Sequence, residues 1–413
     1  MGTINHGINL RLKVNKEQER LLSQNVGNAR MIYNHMLNKQ KLNYDENGRF
    51  FTYKELQNML PDMKKDPSYS FLKNSDSTTL QSSVKDLDTA FKNFFESKNG
   101  SRKGEQMGFP KFKRRNKSRK SFRINNVKTV IKYQGTYESI RIEKHPDKKW
   151  KLKLGKLGFF SVYNWQERLL LVNNVKKINN ATIYKDSDSN WYVSLSVESE
   201  SQANDITYEN TLGIDLGLKD LAILSTGDKI ESLETIKKYE KKLAKLQRAQ
   251  SRMVKFSNNW YKIGKRIGKV HFKIKMTRKN YLHQWSRVIV DHFDVITVET
   301  LQIKNIMKNH KLAKKTADQS WFRFKTFLRY KTEWAGKKLI EVSEWFPSSK
   351  TCSCCGTQVK LTLNIRSWKC PKCKSVHDRD INASKNLEKV SKYFVETSQI
   401  VTSKDDFLKL CFR

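Results

Sequence analysis

Acidic residues are scarce in this chain of 413 residues: 41 Asp and Glu stand against 81 Lys and Arg, a formal charge of +40. An excess of that size goes beyond what solubility needs, and its self-repulsion calls for a polyanionic partner, nucleic acid first among them. Long apolar runs are missing as well. No stretch reaches the roughly 18 apolar residues of a spanning helix, so the cations are not read as flanks of a membrane segment. The opening "MGTINHGINL" has neither a basic start nor an apolar core, so no secretory signal and an intracellular, reducing compartment are expected. The six cysteines then read as metal ligands or bystanders before disulfides. No internal repeat appears, and no low-complexity tract beyond one Lys-rich helical region. A chain of this length can hold two to four packed units. Composition alone would also suit a ribosomal or architectural protein, so the motifs must decide.

Ile8, Leu10, Leu12 and Val14 alternate with polar residues, the period of a half-buried strand. Asn15 and Gln18 then offer a capping box that opens a helix carrying Leu22, Val26, Ile32 and Met36. A second helix is expected through Leu80, Val84, Leu87 and Phe91, stopping at Asn99-Gly100. From "GFPKFKRRNKSRKSFRINN" onward, period-two segments separated by Gly, Asn and Asp read as a small antiparallel barrel or curved sheet, which the first strand could join. A strand pair follows in "TLGIDLGLKDLAILSTGDKI". The long charged region after it reads as a helical hairpin, with Gly264 and Gly268 as its breaks. The strand "DVITVET" comes next.

"CSCCG" and "CPKC" pair Cys352 with Cys355 and Cys370 with Cys373. Two such knuckles suit one structural zinc, because each tight turn presents two thiolates, and Gly356 permits the left-handed backbone the turn requires. Four thiolates leave no open position for catalysis. A redox C-x-x-C is the competing reading, and two pairs without a βαβ pattern argue against it. Cys354 is expected to point away and Cys411 to sit in the tail, both as free thiols. His377 is a spare donor beside a shell already full.

Asp215 in "LGIDLG" faces away from Leu212, Ile214 and Leu216, between Gly213 and Gly217, whose small size leaves room for an ion and a phosphate. Glu299 ends the buried run Val295–Val298, a costly place for an acid unless it is paired or binds metal. Asp380 in "HDRDINASKN" sits where a helix begins and amide dipoles favour it. Taken singly, these acids could be a turn former, a surface strand end and an N-cap. Taken together, carboxylates from separate segments are what a phosphodiester nuclease uses to hold two hard cations about 4 Å apart.

The order "GIDLG", "VET", "SSKTCSCCG", "CPKC", "HDRDINASKN", with "NARMIYNHMLN" upstream, resembles the TnpB proteins of insertion sequences, relatives of the miniature type V CRISPR effectors. The resemblance implies an α/β multi-domain fold. An RNase H-like RuvC nuclease domain (206–350 and 377–395) would be interrupted by a zinc ribbon (351–376). A β-barrel wedge domain (1–14 and 109–205) would carry a helical recognition insertion (15–108), and a tail (396–413) is expected to lack order. It also implies a Mg²⁺-dependent, RNA-guided DNA endonuclease cleaving double-stranded DNA beside a short target-adjacent motif. The catalytic and magnesium-binding residues would be Asp215, Glu299 and Asp380, with two Mg²⁺ and one structural Zn²⁺. Asp378 is the rival for the third place and more plausibly supports it. "NAA" in the family reads Asn382, Ala383, Ser384 here, which leaves the acids undisturbed. The partners implied are a transposon-derived guide RNA and double-stranded target DNA, in a monomeric ribonucleoprotein of a bacterial or archaeal cytoplasm, acting at the nucleoid, with no membrane.

The basic stretch places Lys111, Lys113, Arg114, Arg115, Lys117, Arg119, Lys120 and Arg123 around Phe112 and Phe122. These cations offer phosphate affinity independent of sequence, and the rings could stack on bases or anchor the segment. A solvated linker is the alternative. Two other functions stay open on the residues alone: a transposase using the same three acids for strand transfer, and a non-catalytic nucleic-acid-binding regulator.

Overall fold

The computed structural model describes residues 3–102, 104–115, 117–131, 135–144, 150–164, 175–200, 207–362 and 365–400. The chain divides into two compact units, Thr3–Glu200 and Ser201–Arg413.

In the first unit β1 (Thr3–Lys13) buries Ile8, Leu10 and Leu12 on one face, as their alternation requires. Asn15 caps α1 (Lys16–Asn47) through the reciprocal capping box with Gln18, and Gly48 at φ +66° ends it. α2 (Tyr53–Lys65), a 3₁₀ segment (Pro67–Asn74) and α3 (Ser77–Lys98) follow, the last ending at Asn99. These helices share a core of their own around Ile32, Met36, Leu56, Leu72, Leu80 and Leu87.

The strands after them are β2 (Ser121–Asn125), β3 (Lys128–Ile131), β4 (Gly135–Glu138), β5 (Ile140–Lys144), β6 (Trp150–Leu154), β7 (Phe159–Val162), β8 (Val175–Lys185) and β9 (Trp191–Glu200). All but the β3–β4 hairpin join one antiparallel sheet in the order β2-β8-β9-β1-β7-β6-β5. The N-terminal strand is therefore the central one, and the helices are an insertion between it and its neighbours. Its edge strands meet at one corner, where the Ser139 amide donates to the Val127 carbonyl at 2.9 Å and the Ile140 amide to Asn126 Oδ1 at 2.8 Å. A single core includes Leu10, Phe122, Ile140, Leu152, Phe160 and Val193 from across this sheet.

The second unit holds β10 (Thr211–Leu216), β11 (Asp220–Leu224), β12 (Lys229–Glu231), α4 (Thr235–Ser251), α5 (Asn258–His292) and β13 (Val295–Val298). It continues with α6 (Ile303–Lys308), α7 (His310–Gln319), α8 (Trp321–Trp334), β14 (Lys338–Glu341), β15 (Ser367–Lys369), β16 (Val376–Asp378) and α9 (Arg379–Thr397). Its main sheet runs β12-β11-β10-β13-β14; β10, β13 and β14 are parallel, and β11 and β12 antiparallel.

Two expectations change here. Gly264 and Gly268 lie inside the unbroken α5, and the hairpin turns earlier, at residues 252–257. A Cβ at Gly264 would stand 2.9 Å from Gln250 Nε2, so this glycine lets the two arms approach closely instead of breaking the helix. The tail expected to lack order from residue 396 does not begin there: α9 continues to Thr397, with Tyr393, Phe394 and Val395 packed on the core of Val295 and Ile340. Residues 401–413, and Cys411 with them, lie outside the described residues.

Candidate active site

Parallel pairing sets Ile214 opposite Val298, so the next residues along the two strands, Asp215 and Glu299, project side by side from one face of the sheet. α9 crosses that face. It comes so close at Gly213 that a Cβ there would sit 1.9 Å from the Ser384 carbonyl oxygen and 2.4 Å from the Glu388 amide nitrogen. The Thr297 and Ser391 hydroxyls meet at 2.7 Å, and Ser391 Oγ donates to the Leu212 carbonyl at 3.2 Å, fixing the crossing further along. This docking carries the first turn of α9, and with it Asp380, to the ends of β10 and β13. The expectation that Gly213 leaves room for an ion is thereby corrected: helix backbone fills the space above it. Gly217 serves a tight turn, with the Asp220 carbonyl 3.0 Å from where its Cβ would be.

Asp215, Glu299 and Asp380 line one cavity of about 380 Å³, together with Trp321, Arg366 and Arg379. Glu299 is held by the Leu216 amide, which donates to its Oε1 at 2.9 Å. Burial first, then the charges of Glu299 and Asp380, raise the Asp215 carboxyl well above the ordinary aspartate range. Burial also raises Glu299, against the opposing pull of the Leu216 amide, the hydrogen bond to Asp215 and the charge of Lys325. Three acids line this one cavity, their oxygens not all within 4.8 Å of one another and Asp380 paired with Arg366, and their carboxylates are hard donors of the kind a divalent cation takes.

Asp378 stands apart from the cavity: it is the N-cap of α9, accepting from the amides of Asp380 and Ile381 at 3.0 and 3.1 Å, and its Oδ2 lies 3.4 Å from Lys229 Nζ. Asp380 is thus the second residue inside the helix and not its cap. Sequence reasoning passed over Arg366, whose Nη1 lies 2.8 and 3.1 Å from the two Asp380 oxygens. It also gave no role to Asn382 and Asn386 of "INASKN", one helical turn apart and both buried. Asn382 donates to the Thr351 carbonyl at 2.8 Å and accepts from the Ser353 amide; Asn386 donates to the carbonyls of Ser348 and Thr351 at 2.8 and 2.6 Å. These two amides fasten the start of the cysteine loop to α9. Two asparagines spaced four apart inside a helical pattern were the available signal.

The four thiols of Cys352, Cys355, Cys370 and Cys373 all lie within 4.8 Å of one another. Cys352 to Cys373 and Cys355 to Cys370 are each 3.6 Å between sulfurs. Zn–S bonds of about 2.3 Å imply tetrahedral edges of roughly 3.8 Å, so the donor set fits zinc. Gly356 takes φ +73°, as its knuckle requires, and Lys374 at φ +61° fills the same role in the second knuckle without a glycine. Cys354 does not point away as expected. Its sulfur lies within 4.8 Å of Cys352 and of a His377 ring nitrogen, and His377 Nε2 is 3.1 Å from Cys352 Sγ.

The first unit contains a second concave site, of about 250 Å³, lined in part by Arg30, Ser82, Ser83 and Asp86. Of the eight cations singled out in the basic stretch, Lys113, Arg115, Arg119, Lys120 and Arg123 line it; Lys111, Arg114 and Lys117 are exposed outside it. The stretch is no free linker. Asn34 on α1 exchanges two hydrogen bonds with the backbone of Lys113, at 2.8 and 3.0 Å, and Arg123 pairs with Asp86 at 2.6 Å. Lys113 lies 3.8 Å from the centre of the Tyr33 ring, and burial lowers its pKa. The two aromatics separate: Phe122 is an anchor in the sheet core, whereas Phe112 is 44% exposed under Lys41.

Residues 321–387 match the family described as "Cas12f1-like, TNB domain", residues 194–310 that described as "Probable transposase", and residues 1–49 a "Helix-turn-helix domain". In the structure that last segment is one strand and one continuous helix. Two bacterial relatives run nearly the whole length. One from Streptomyces pristinaespiralis, named "Putative RNA-guided DNA endonuclease", is 31% identical over 90% of this chain and 85% of its own. InsQ of Escherichia coli K12, given the same description, is 27% identical over 91% and 90%. Among solved structures, a Cas12f1–sgRNA–target DNA complex superposes with a TM-score of 0.57 over 94% of this chain and 99% of that one, at 14% identity, which is a likeness of fold. The 31% identity to the Streptomyces relative over 90% of this chain and 85% of its own, together with matches to proteins named TnpB-like, places the chain in the TnpB family.

Proposed function

We propose that this protein is an RNA-guided DNA endonuclease that hydrolyses phosphodiester bonds at the cavity of Asp215, Glu299 and Asp380. The observation that carries the reading is the convergence of three carboxylates, from two parallel strands and one helix start, on a single cavity in a chain of charge +40. The unit of β10–β14 and α9 would be the RuvC-like nuclease, the cysteine loop its zinc ribbon, and the sheet of β1–β9 a wedge barrel with the α1–α3 insertion. The three acids would hold Mg²⁺, which when bound activates a water and stabilises the leaving oxygen. Glu299, pinned by the Leu216 amide, and Asp380, steadied by Arg366, present oxygens whose positions are set before substrate arrives. Arg366 and Arg379 place positive charge where a phosphate would enter. The cations around the 250 Å³ site would hold a nucleic-acid backbone, with guide pairing supplying the specificity.

Incubating the protein with its locus-derived RNA, Mg²⁺ and a matching duplex is expected to give cut ends. Joined products formed without RNA would instead identify strand transfer, the reading that the transposase-type match favours. Cys352, Cys355, Cys370 and Cys373 would hold one structural Zn²⁺, so elemental analysis should find about one zinc per chain, falling to none in Cys370→Ser. Freshly purified protein without zinc would refute that assignment.

A further inference from the structure

The helical arms α4 and α5 meet at a turn that neither the carboxylate cavity nor the zinc ribbon uses. From Thr235 to His292 the chain carries 17 Lys and Arg against two acids, Glu240 and Asp291. At the end of this cationic arm two apolar side chains stand in solvent: Val254 is 79% exposed and Phe256 62%. Phe256 also holds φ +71°, the left-handed region that a bulky L residue adopts only under constraint. The constraint is visible. The Ser257 amide donates to the Val254 carbonyl at 3.1 Å, Ser257 Oγ accepts from the Trp260 amide at 3.2 Å to cap α5, and Gln250 Nε2 donates to the Trp260 carbonyl at 3.2 Å. Phe256 and Trp260 lie 5.6 Å apart, and Trp260 meets Tyr261 edge-on at 5.2 Å, so the turn displays a fixed set of rings.

Folding alone does not account for this arrangement. Phe256 buries little surface, and a glycine at the same place would take φ +71° without strain. From these observations we infer that the turn at residues 252–257 is a stacking platform for an unpaired or terminal base of a nucleic acid. The base covers Phe256 and Val254, and the adjoining phosphates meet Arg252, Lys255 and Lys262. Charge selects the partner class, since two apolar side chains flanked in sequence by Arg252, Lys255 and Lys262, at the end of an arm carrying 17 Lys and Arg, suit a phosphate backbone with a π-face attached. Stacking on a ring requires no hydrogen-bond readout, so the platform accepts any base. A membrane surface also attracts cations, but two apolar residues at a turn make a poor insertion face.

The inference rests on the nucleic-acid reading above for its partner, and its test separates the two. The probe is a blunt hairpin duplex carrying 2-aminopurine at its terminal pair, added to full-length protein freed of nucleic acid at high salt. Wild-type protein is expected to quench the terminal fluorophore, and Phe256→Gly to weaken binding about fivefold or more with the quench lost. Phe256→Tyr should retain both. The Tm of Phe256→Gly should hold or rise, because the strain is gone. Unchanged affinity and quenching in Phe256→Gly would overturn the platform, as would a lowered Tm with full affinity, which would make the ring a packing residue. Competition by phosphatidylserine vesicles for the same fluorescence change would overturn it in favour of a membrane. Failure of the wild-type protein to bind the duplex at all would count against the nucleic-acid reading itself.

Discussion

Asp215→Asn is expected to lower cleavage by roughly 10³-fold or more, because carboxylates that act as one unit lose most of the rate when any one is removed. Binding of guide and target should persist, since Asp215 faces the 380 Å³ cavity and not the basic site of the first unit. The same substitution should stabilise the magnesium-free protein. Burial and the charges of Glu299 and Asp380 raise the Asp215 carboxyl, so the folded state binds its proton more tightly than the unfolded chain does. The resulting cost is absent below the ordinary aspartate value near 4 and grows as pH rises towards the folded-state value. At pH 8 its removal should therefore raise Tm. The gain should shrink at pH 4. Thermal melts at both pH values and a cleavage assay check the pair of effects; wild-type cutting by the variant would remove Asp215 from the chemistry.

Gly213→Ala should be almost as damaging without touching an acid. The added carbon would lie 1.9 and 2.4 Å from backbone atoms of α9, and backbone has no rotamer by which to move aside. The helix must shift, at a cost of about 3 kcal/mol, or roughly 6–12 °C in Tm. Asp380 moves with it. Displacing a reacting group by about 1 Å costs on the order of 100-fold in rate, so cleavage should fall by about that factor while zinc content stays near one per chain. An alanine variant with wild-type Tm and cutting would show that α9 does not rest on this glycine.

Gly213 also marks where reading the sequence stops. That "LGIDLG" is a strand with Asp215 on the far side from its leucines follows from a period of two, and it is seen in the structure. Why the neighbour must be glycine depends on a helix about 170 residues later, and no local pattern reports that. The two cysteine knuckles were legible for the opposite reason: ligand spacing within each tight turn is a local property, whereas the approach of Cys354 to His377 depends on how β16 returns beside the first knuckle. Gly264 was misjudged similarly, because a glycine that breaks a helix and one that admits a neighbouring helix look alike in one dimension.

Charge, strand and helix periods, the capping box at Asn15, the paired knuckles and three acids in separate segments are all legible along the chain. These are consequences of short-range sterics and of chemistry carried by single residues. Tertiary structure alone decided that Asp215 and Glu299 sit side by side, through the register of β10 against β13, and that α9 lands on Gly213 to bring Asp380 to them. It decided too that Arg366 pairs with Asp380 and that Asn34 straps the basic stretch to α1. Register and docking are set by the summed burial of many distant side chains, and that sum exists only once the chain has closed on itself.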